Sequence, residues 1–296
     1  MRSGFVSIIG RPNVGKSTLL NTLINEKIAI TSNKPGTTRN IIQGIYNNED
    51  YQIIFVDTPG IHRPINKLGK VLNKQAYSHI RDVDLVLFIA DASEKFGKVD
   101  KMIMQNLESS DSPVILVLNK IDLINQEDII KKIEEYKDLF PFAEIVPISA
   151  AKNNNVNRLL DVIKVYMSDD VRYFETDTIT SNSTKFMVSE FVREKLLNET
   201  EKEVPHRITC VTSSYEEKAN IVNIVVDIIV DRDSLKKIVI GKKGERLKLV
   251  GSEARKDIEN MLGKKVYLEL FVKTVKDWRN KDRNLTELGF IDNWIK

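Results

Sequence analysis

The sequence predicts an α/β doubly wound domain, mostly parallel with one antiparallel strand, followed by a smaller α+β domain. Three observations lead there. Apolar runs alternate with amphipathic stretches as far as Met167, the alternation lapses in a polar, turn-prone stretch, and the order of elements then changes.

In the first part the expected strands are residues 5–10, 41–46, 51–57, 84–91, 113–120 and 144–149. Several are nearly unbroken Ile/Val/Leu/Phe runs, the signature of strands covered on both faces. Helical patterns at 16–25, 68–81, 99–109 and 128–139 lie between most of them, and 156–167 closes the series. The close pair 41–46 and 51–57 around Asn47-Asn48-Glu49-Asp50 predicts one hairpin. These residues, 1–170, form the first expected domain, and 171–184 the linker, polar from Ser168 through Thr180-Ser181-Asn182-Ser183. The second domain, 185–296, reads as helix 185–199, strands 208–213 and 221–231, helix 234–240, helix 245–262, strand 265–274 and a helical tail. Its order is α-β-β-α-α-β.

At 296 residues, 42% hydrophobic and 29% charged, the chain is expected to fold and to bury a core in each domain. The apolar run near the N-terminus is too short for a signal peptide, and no run reaches the ~18 apolar residues of a membrane span, so a cytoplasmic protein is expected, with peripheral membrane contact left open. The lone Cys210 reads as a buried strand residue. His62, His79 and His206 are scattered, without ligand spacing for a metal or an anchoring motif for Ser/His/Asp chemistry. The net charge of +3 lies in the second part, where residues 232–296 hold 17 basic and 10 acidic side chains. That excess fits either a solvated face or a nucleic-acid surface.

Gly10-Arg11-Pro12-Asn13-Val14-Gly15-Lys16-Ser17, followed by Thr18, matches Gly-x-x-x-x-Gly-Lys-Ser/Thr between an expected strand and helix. In such a loop main-chain N–H groups wrap a β-phosphate, Lys16 reaches the β- and γ-phosphates, and the Ser17 hydroxyl binds Mg²⁺. Asn119-Lys120-Ile121-Asp122 follows the fifth strand, where Asp122 can accept from both N1–H and the 2-amino group of guanine, a pair that adenine lacks. Ser149-Ala150-Ala151 reads as the loop that meets the guanine carbonyl. Asp57-Thr58-Pro59-Gly60 closes the third strand, with Asp57 expected on Mg²⁺ through water and the Gly60 N–H on the γ-phosphate. The loop 31–40 holds Thr37 and Thr38, and Thr38 is expected to complete the Mg²⁺ shell. Together these make the first domain a P-loop GTPase fold binding GTP and GDP, with Lys16, Thr38 and Gly60 in catalytic roles. Ile61 stands where many GTPases carry a water-orienting glutamine and cannot hydrogen-bond, so slow intrinsic hydrolysis is expected. Asn13 reads either as a plain loop residue or as a ligand for K⁺.

In the second domain, Ile240-Gly241-Lys242-Lys243-Gly244 places a Gly-x-x-Gly loop with two lysines between helices, and Arg246 follows. Glycines admit a nucleic-acid backbone and the lysines supply charge, which with the element order resembles a type II KH domain gripping single-stranded RNA. Ile240, Leu247 and Val250 are expected to line a groove for bases, or to pack in the core. The motifs Gly10–Thr18, Thr37-Thr38-Arg39, Asp57–Gly60, Asn119–Asp122, Ser149-Ala150 and Gly241–Gly244, with the tail around Asp277-Trp278-Arg279 and Leu288-Gly289, resemble over the whole length the Era family of GTPases. A monomer is expected, and the resemblance implies that it binds the 3′ region of small-subunit ribosomal RNA and releases it on hydrolysis, acts in assembly of the small ribosomal subunit and maturation of its RNA, and associates in part with membranes. Two other readings remain: an RNA-binding module with GTP as a structural or sensing ligand, and a membrane GTPase acting through Leu285, Leu288, Phe290, Ile291 and Trp294.

Overall fold

The computed structural model describes residues 1–291; Trp294 lies outside them. The chain divides into two compact units, residues 1–31, 38–65 and 69–181 in one, and 32–37, 66–68 and 182–296 in the other.

The first unit runs β1 (Arg2–Gly10), α1 (Lys16–Ile24), β2 (Ile42–Asn47), β3 (Tyr51–Asp57), α2 (Lys67–Ser78), β4 (Leu85–Asp91), α3 (Lys98–Leu107), β5 (Val114–Asn119), α4 (Gln126–Lys137), β6 (Glu144–Pro147) and α5 (Val156–Lys164). The sheet order is β2-β3-β1-β4-β5-β6, parallel except for the antiparallel β2–β3 hairpin. Strands β1, β3, β4 and β5 are buried on both faces, which is why they read as continuous apolar runs. Ile9, Phe88, Leu116 and Leu118 of the sheet pack with Ile103, Met104 and Leu107 of α3 and Tyr136 of α4. Helix α5 shows the helical period directly, burying Val156, Leu159, Val162 and Ile163.

Two boundaries differ from expectation for identifiable reasons. Strand β1 begins at Arg2, because the polar Arg2-Ser3-Gly4 pairs in register with Tyr51–Ile53. Residues 171–181, read from composition as linker, are strapped to the first unit: Gln52 donates to the Phe174 carbonyl and accepts from the Tyr173 and Phe174 N–H groups, and the Ile45 N–H donates to the Ile179 carbonyl. A polar extended segment satisfied by main-chain bonds carries no period for sequence to reveal.

The second unit holds α6 (Thr184–Glu199), β7 (Ile208–Glu217), β8 (Ile221–Val230), α7 (Asp233–Ile240), α8 (Glu245–Leu262), β9 (Lys265–Thr274) and the short α9 (Asp282–Glu287). Strand β8 is central, antiparallel to β7 and parallel to β9. Val222, Ile224, Val226, Ile228 and Val230 alternate along β8 into the core. Strand β7 runs four residues beyond its expected end, through a bulge between Thr212 and Ser214. Ser183 caps α6, accepting from the Phe186 N–H at 3.3 Å. On α6 the fully buried Arg193 donates to Glu190 Oε1 at 2.7 Å and to the Thr37 carbonyl of the 32–37 segment. The tail closes on Trp278, Leu285 and Phe290, all buried, with Trp278 and Phe290 stacked. Cys210 is buried in β7, as expected.

Candidate nucleotide site and RNA interface

The parallel topology brings the carboxyl ends of β1, β3, β4 and β5 to one edge, placing Gly10, Asp57, Asp91 and Asn119 together, where open α/β folds take ligands. The phosphate loop spans the gap from β1 to α1. Gly15 stands at φ 97°, and a Cβ there would lie 2.2 Å from Asn119 Nδ2, so only glycine fits. Lys16 is buried, and its Nζ donates to the carbonyls of Arg11 at 2.8 Å and Gly10 at 3.2 Å. Burial pushes its pKa down to about 8, with the Asp57 charge opposing.

Ser17, Thr38 and Asp57 converge as expected. Ser17 Oγ donates to Asp57 Oδ2 at 2.6 Å and lies 2.8 Å from Thr38 Oγ1. Asp57 is fully buried, burial raises its pKa to about 6 against the pull of Lys16 and the hydroxyls, and its Oδ1 has no hydrogen-bond partner. Hard oxygens converging beside an orphaned carboxylate oxygen suit Mg²⁺. Among the described residues no cluster of three His, Cys, Asp or Glu side chains offers another metal site.

Asn119 is the joint of the site. Its Nδ2 donates to the Val14 carbonyl at 2.8 Å and its Oδ1 accepts from the Ala150 N–H at 2.9 Å, tying the phosphate loop to the loop at Ser149-Ala150-Ala151. Ser149 and Ala150 are buried and Ala151 exposed. Asp122 sits in a 3-10 turn, Ile121–Leu123, with its side chain open to solvent. Sequence reading passed over Asp91, whose Oδ2 lies 2.6 Å from Lys120 Nζ while Oδ1 accepts from the Ser93 N–H and Oγ–H. Its signal was available: a carboxylate ending an apolar strand at the ligand edge.

At three positions the structure adds detail. Arg11 contributes only its main chain beside Lys16, since its side chain ion-pairs with Asp100 and Glu94. Thr37 turns its hydroxyl inward, onto the Lys34 carbonyl at 2.7 Å. Ile61 is fully buried in the core with Phe88 and Ala76, while its N–H donates to the Gly10 carbonyl at 3.1 Å. Gly60 lies against the phosphate loop so closely that a Cβ would be 2.8 Å from Pro12 Cα. Thr58 donates to the Ile8 carbonyl at 2.9 Å, Pro59 is buried, and Asn13 holds φ 64° with its side chain exposed.

In the second unit, Gly241 takes φ 78° and ψ 176°, a conformation reserved for glycine. Lys242 and Lys243 are exposed, Lys243 in the left-handed region at φ 51°. Arg246 Nη1 donates back to the Ile238 carbonyl, closing the loop onto α7. Gly244 opens α8, whose N-terminal N–H groups and the paired lysines form a surface suited to a phosphodiester backbone. Ile240 and Leu247 are half-buried beside it, whereas Val250 is fully buried, the core alternative left open for it.

The profile of a family described as "50S ribosome-binding GTPase" matches residues 5–120, and that of the KH domain matches 203–279. A crystal structure of Aquifex aeolicus Era, a variant bound to GDP·AlF4⁻, shares 41% identity over 98% of this chain and 99% of its own, with a TM-score of 0.95. This chain belongs to the Era family. A second Era structure, in complex with MgGDPNP and nucleotides 1506-1542 of 16S ribosomal RNA, matches with the same identity, coverage and TM-score. Family membership covers both units, so the GTPase fold and the KH fold are parts of one Era architecture and not a chance fusion.

Proposed function

We propose that this chain binds GTP and GDP with Mg²⁺, hydrolyses GTP, and grips single-stranded RNA at the 3′ end of small-subunit ribosomal RNA, acting as a monomer in small ribosomal subunit assembly and RNA maturation. The observation that carries the reading is the convergence of Ser17, Thr38 and the orphaned Asp57 carboxylate beside Lys16, in a chain whose other unit presents Lys242 and Lys243 on a Gly-x-x-Gly loop. The related Era structure with MgGDPNP and 16S nucleotides supports it.

Held by Ser17, Thr38 and Asp57, Mg²⁺ would supply neutralisation of the phosphate charge. The residues divide the remaining work. Lys16 offers its ammonium to the phosphates, the main chain of Gly10–Ser17 cradles them, and Ser17, Thr38 and Asp57 hold the metal. Asp122 selects guanine. The Gly60 N–H reports the γ-phosphate, because Gly60 rests directly on Pro12. With Ile61 packed away in the core, water must be oriented by other groups, so turnover unaided is slow. Asn13, exposed at φ 64°, is our proposed ligand for K⁺, which would lend the missing cationic charge. This function places the protein in the cytoplasm with its RNA; sedimentation with anionic vesicles checks a peripheral membrane association.

The deciding experiment measures affinity for an RNA ending in the small-subunit 3′ sequence, with a non-hydrolysable GTP analogue and with GDP. Tighter binding with the analogue supports the switch. Equal binding in both states favours the second reading, an RNA module with GTP as a structural ligand, which the buried Ile61 also accommodates.

A further inference from the structure

The side chain of Arg11 leaves the phosphate loop and crosses to the start of α3. Its Nε lies 2.9 Å from Asp100 Oδ1 and its Nη2 3.1 Å from Glu94 Oε2. The two carboxylates are unequal: Asp100 is 0% exposed and Glu94 58%. The other oxygen of Asp100 accepts from the Gly97 N–H at 2.9 Å, capping α3. The helix is itself anchored, with Ile103, Met104 and Leu107 in the core. Arg11 is therefore held by a fixed point outside every nucleotide motif.

The main chain at the same place carries the phosphate-reading contacts. The carbonyls of Gly10 and Arg11 receive Lys16 Nζ, the Gly10 carbonyl also receives the Ile61 N–H, and Pro12 backs onto Gly60. A guanidinium that is 17% exposed, stripped of its carboxylate, would have to find another partner, and turning to find one would twist this arm of the loop. Shape matters as well as charge, because Nε and Nη2 lie at ion-pair distance from two separate carboxylates, a spread that an ammonium does not reproduce.

We propose that Asp100, acting through Arg11, is a positioning residue for phosphate recognition: it fixes the Gly10–Pro12 arm in the shape that takes the β-phosphate. The inference rests on the nucleotide site described above and adds to it a residue that touches no nucleotide. It predicts a selective defect. Guanosine diphosphate and triphosphate, which use the arm, lose affinity, whereas guanosine monophosphate, which ends before it, does not.

The test uses the full chain and its Asp100→Asn and Arg11→Lys variants, measuring Kd for GDP and GMP by competition against a fluorescent GDP calibrated for each, together with Tm. In both variants GDP is expected to weaken about tenfold, the scale of one charge-assisted contact, with GMP unchanged within about twofold. Arg11→Lys retains the charge and serves if Asp100→Asn fails to fold. Equal weakening of GDP and GMP, or a fall in Tm with the GMP-to-GDP ratio unchanged, overturns the proposal and leaves the ion pair a structural prop. If the unmodified protein binds neither nucleotide, the nucleotide site itself is misread, an outcome distinct from an unchanged ratio.

Discussion

Asp57 and Lys16 are a buried pair whose charged forms burial opposes. Burial raises Asp57 to about 6 from 3.8, so folding takes up a proton between those values. Its contribution to stability is present in full below about pH 3.8 and lost as pH rises through 6. Lys16, lowered to about 8 from 10.5, releases a proton on folding, and its contribution is lost as pH falls from 10.5 to 8. Between pH 6 and 8 both penalties are present. Asp57→Asn removes the acidic one, so without nucleotide the Tm of the variant relative to wild type should rise from pH 4 to pH 7, as thermal melts would show. The same substitution should abolish the strengthening of GTP binding by Mg²⁺. Ile61 makes the opposite case, a residue whose position suggested chemistry and whose side chain does packing. Ile61→Gln buries an amide in an apolar cluster, and the expected result is a loss of about 2–4 kcal/mol in denaturant melts with no gain in kcat. Faster turnover with unchanged stability would show that the side chain swings out of the core.

At the level of elements, the loops of the nucleotide site are set by joints more than by their own sequences. Asn119 joins two of them, and Asn119→Ala leaves the Val14 carbonyl and the Ala150 N–H without their partners, a loss of about 1–3 kcal/mol for each buried group. Guanine nucleotide affinity should fall with stability, and a calorimetric titration that found affinity intact would separate the joint from the site. The joint between α7 and α8 is tested differently. Gly241→Asp would break the loop whatever it binds, since φ 78° with ψ 176° excludes side chains. Lys242→Ala with Lys243→Ala keeps the geometry, and RNA affinity should drop about tenfold while the salt slope shallows by about 1.4, or ~0.7 for each phosphate that is no longer neutralised. Nucleotide affinity should not move. Motif loops were legible in the sequence because their chemistry demands fixed residues at fixed spacing. Asp100 was not, because a buried carboxylate in an amphipathic helix looks like a polar face until the fold brings Arg11 to it. For Val250 the sequence left groove and core both open for the converse reason: an apolar side chain beside a functional motif gives no sign of the direction in which it points.

For the whole molecule, the two-domain plan was readable from the change in element order, but the course of residues 171–181 along the first unit was not, since it depends on Gln52 and the main chain and leaves no period. The grouping of residues 32–37 and 66–68 with the second unit was equally hidden, and it bears on function. Thr37, whose carbonyl receives Arg193, is followed directly by Thr38, whose hydroxyl meets Ser17 at the metal position. A state that draws Thr38 onto the metal therefore acts on a chain segment that the second unit also holds. Such a linkage is reciprocal by thermodynamic necessity. If a GTP analogue tightens RNA binding relative to GDP by some factor, RNA must tighten analogue binding relative to GDP by the same factor, and Arg193→Lys, which loses the fork shared between Glu190 and Thr37, should shrink both ratios toward one together. The four affinities of that cycle, measured for wild type and variant, check it. Ratios that stay large in the variant would mean that the nucleotide state reaches the RNA surface by another route.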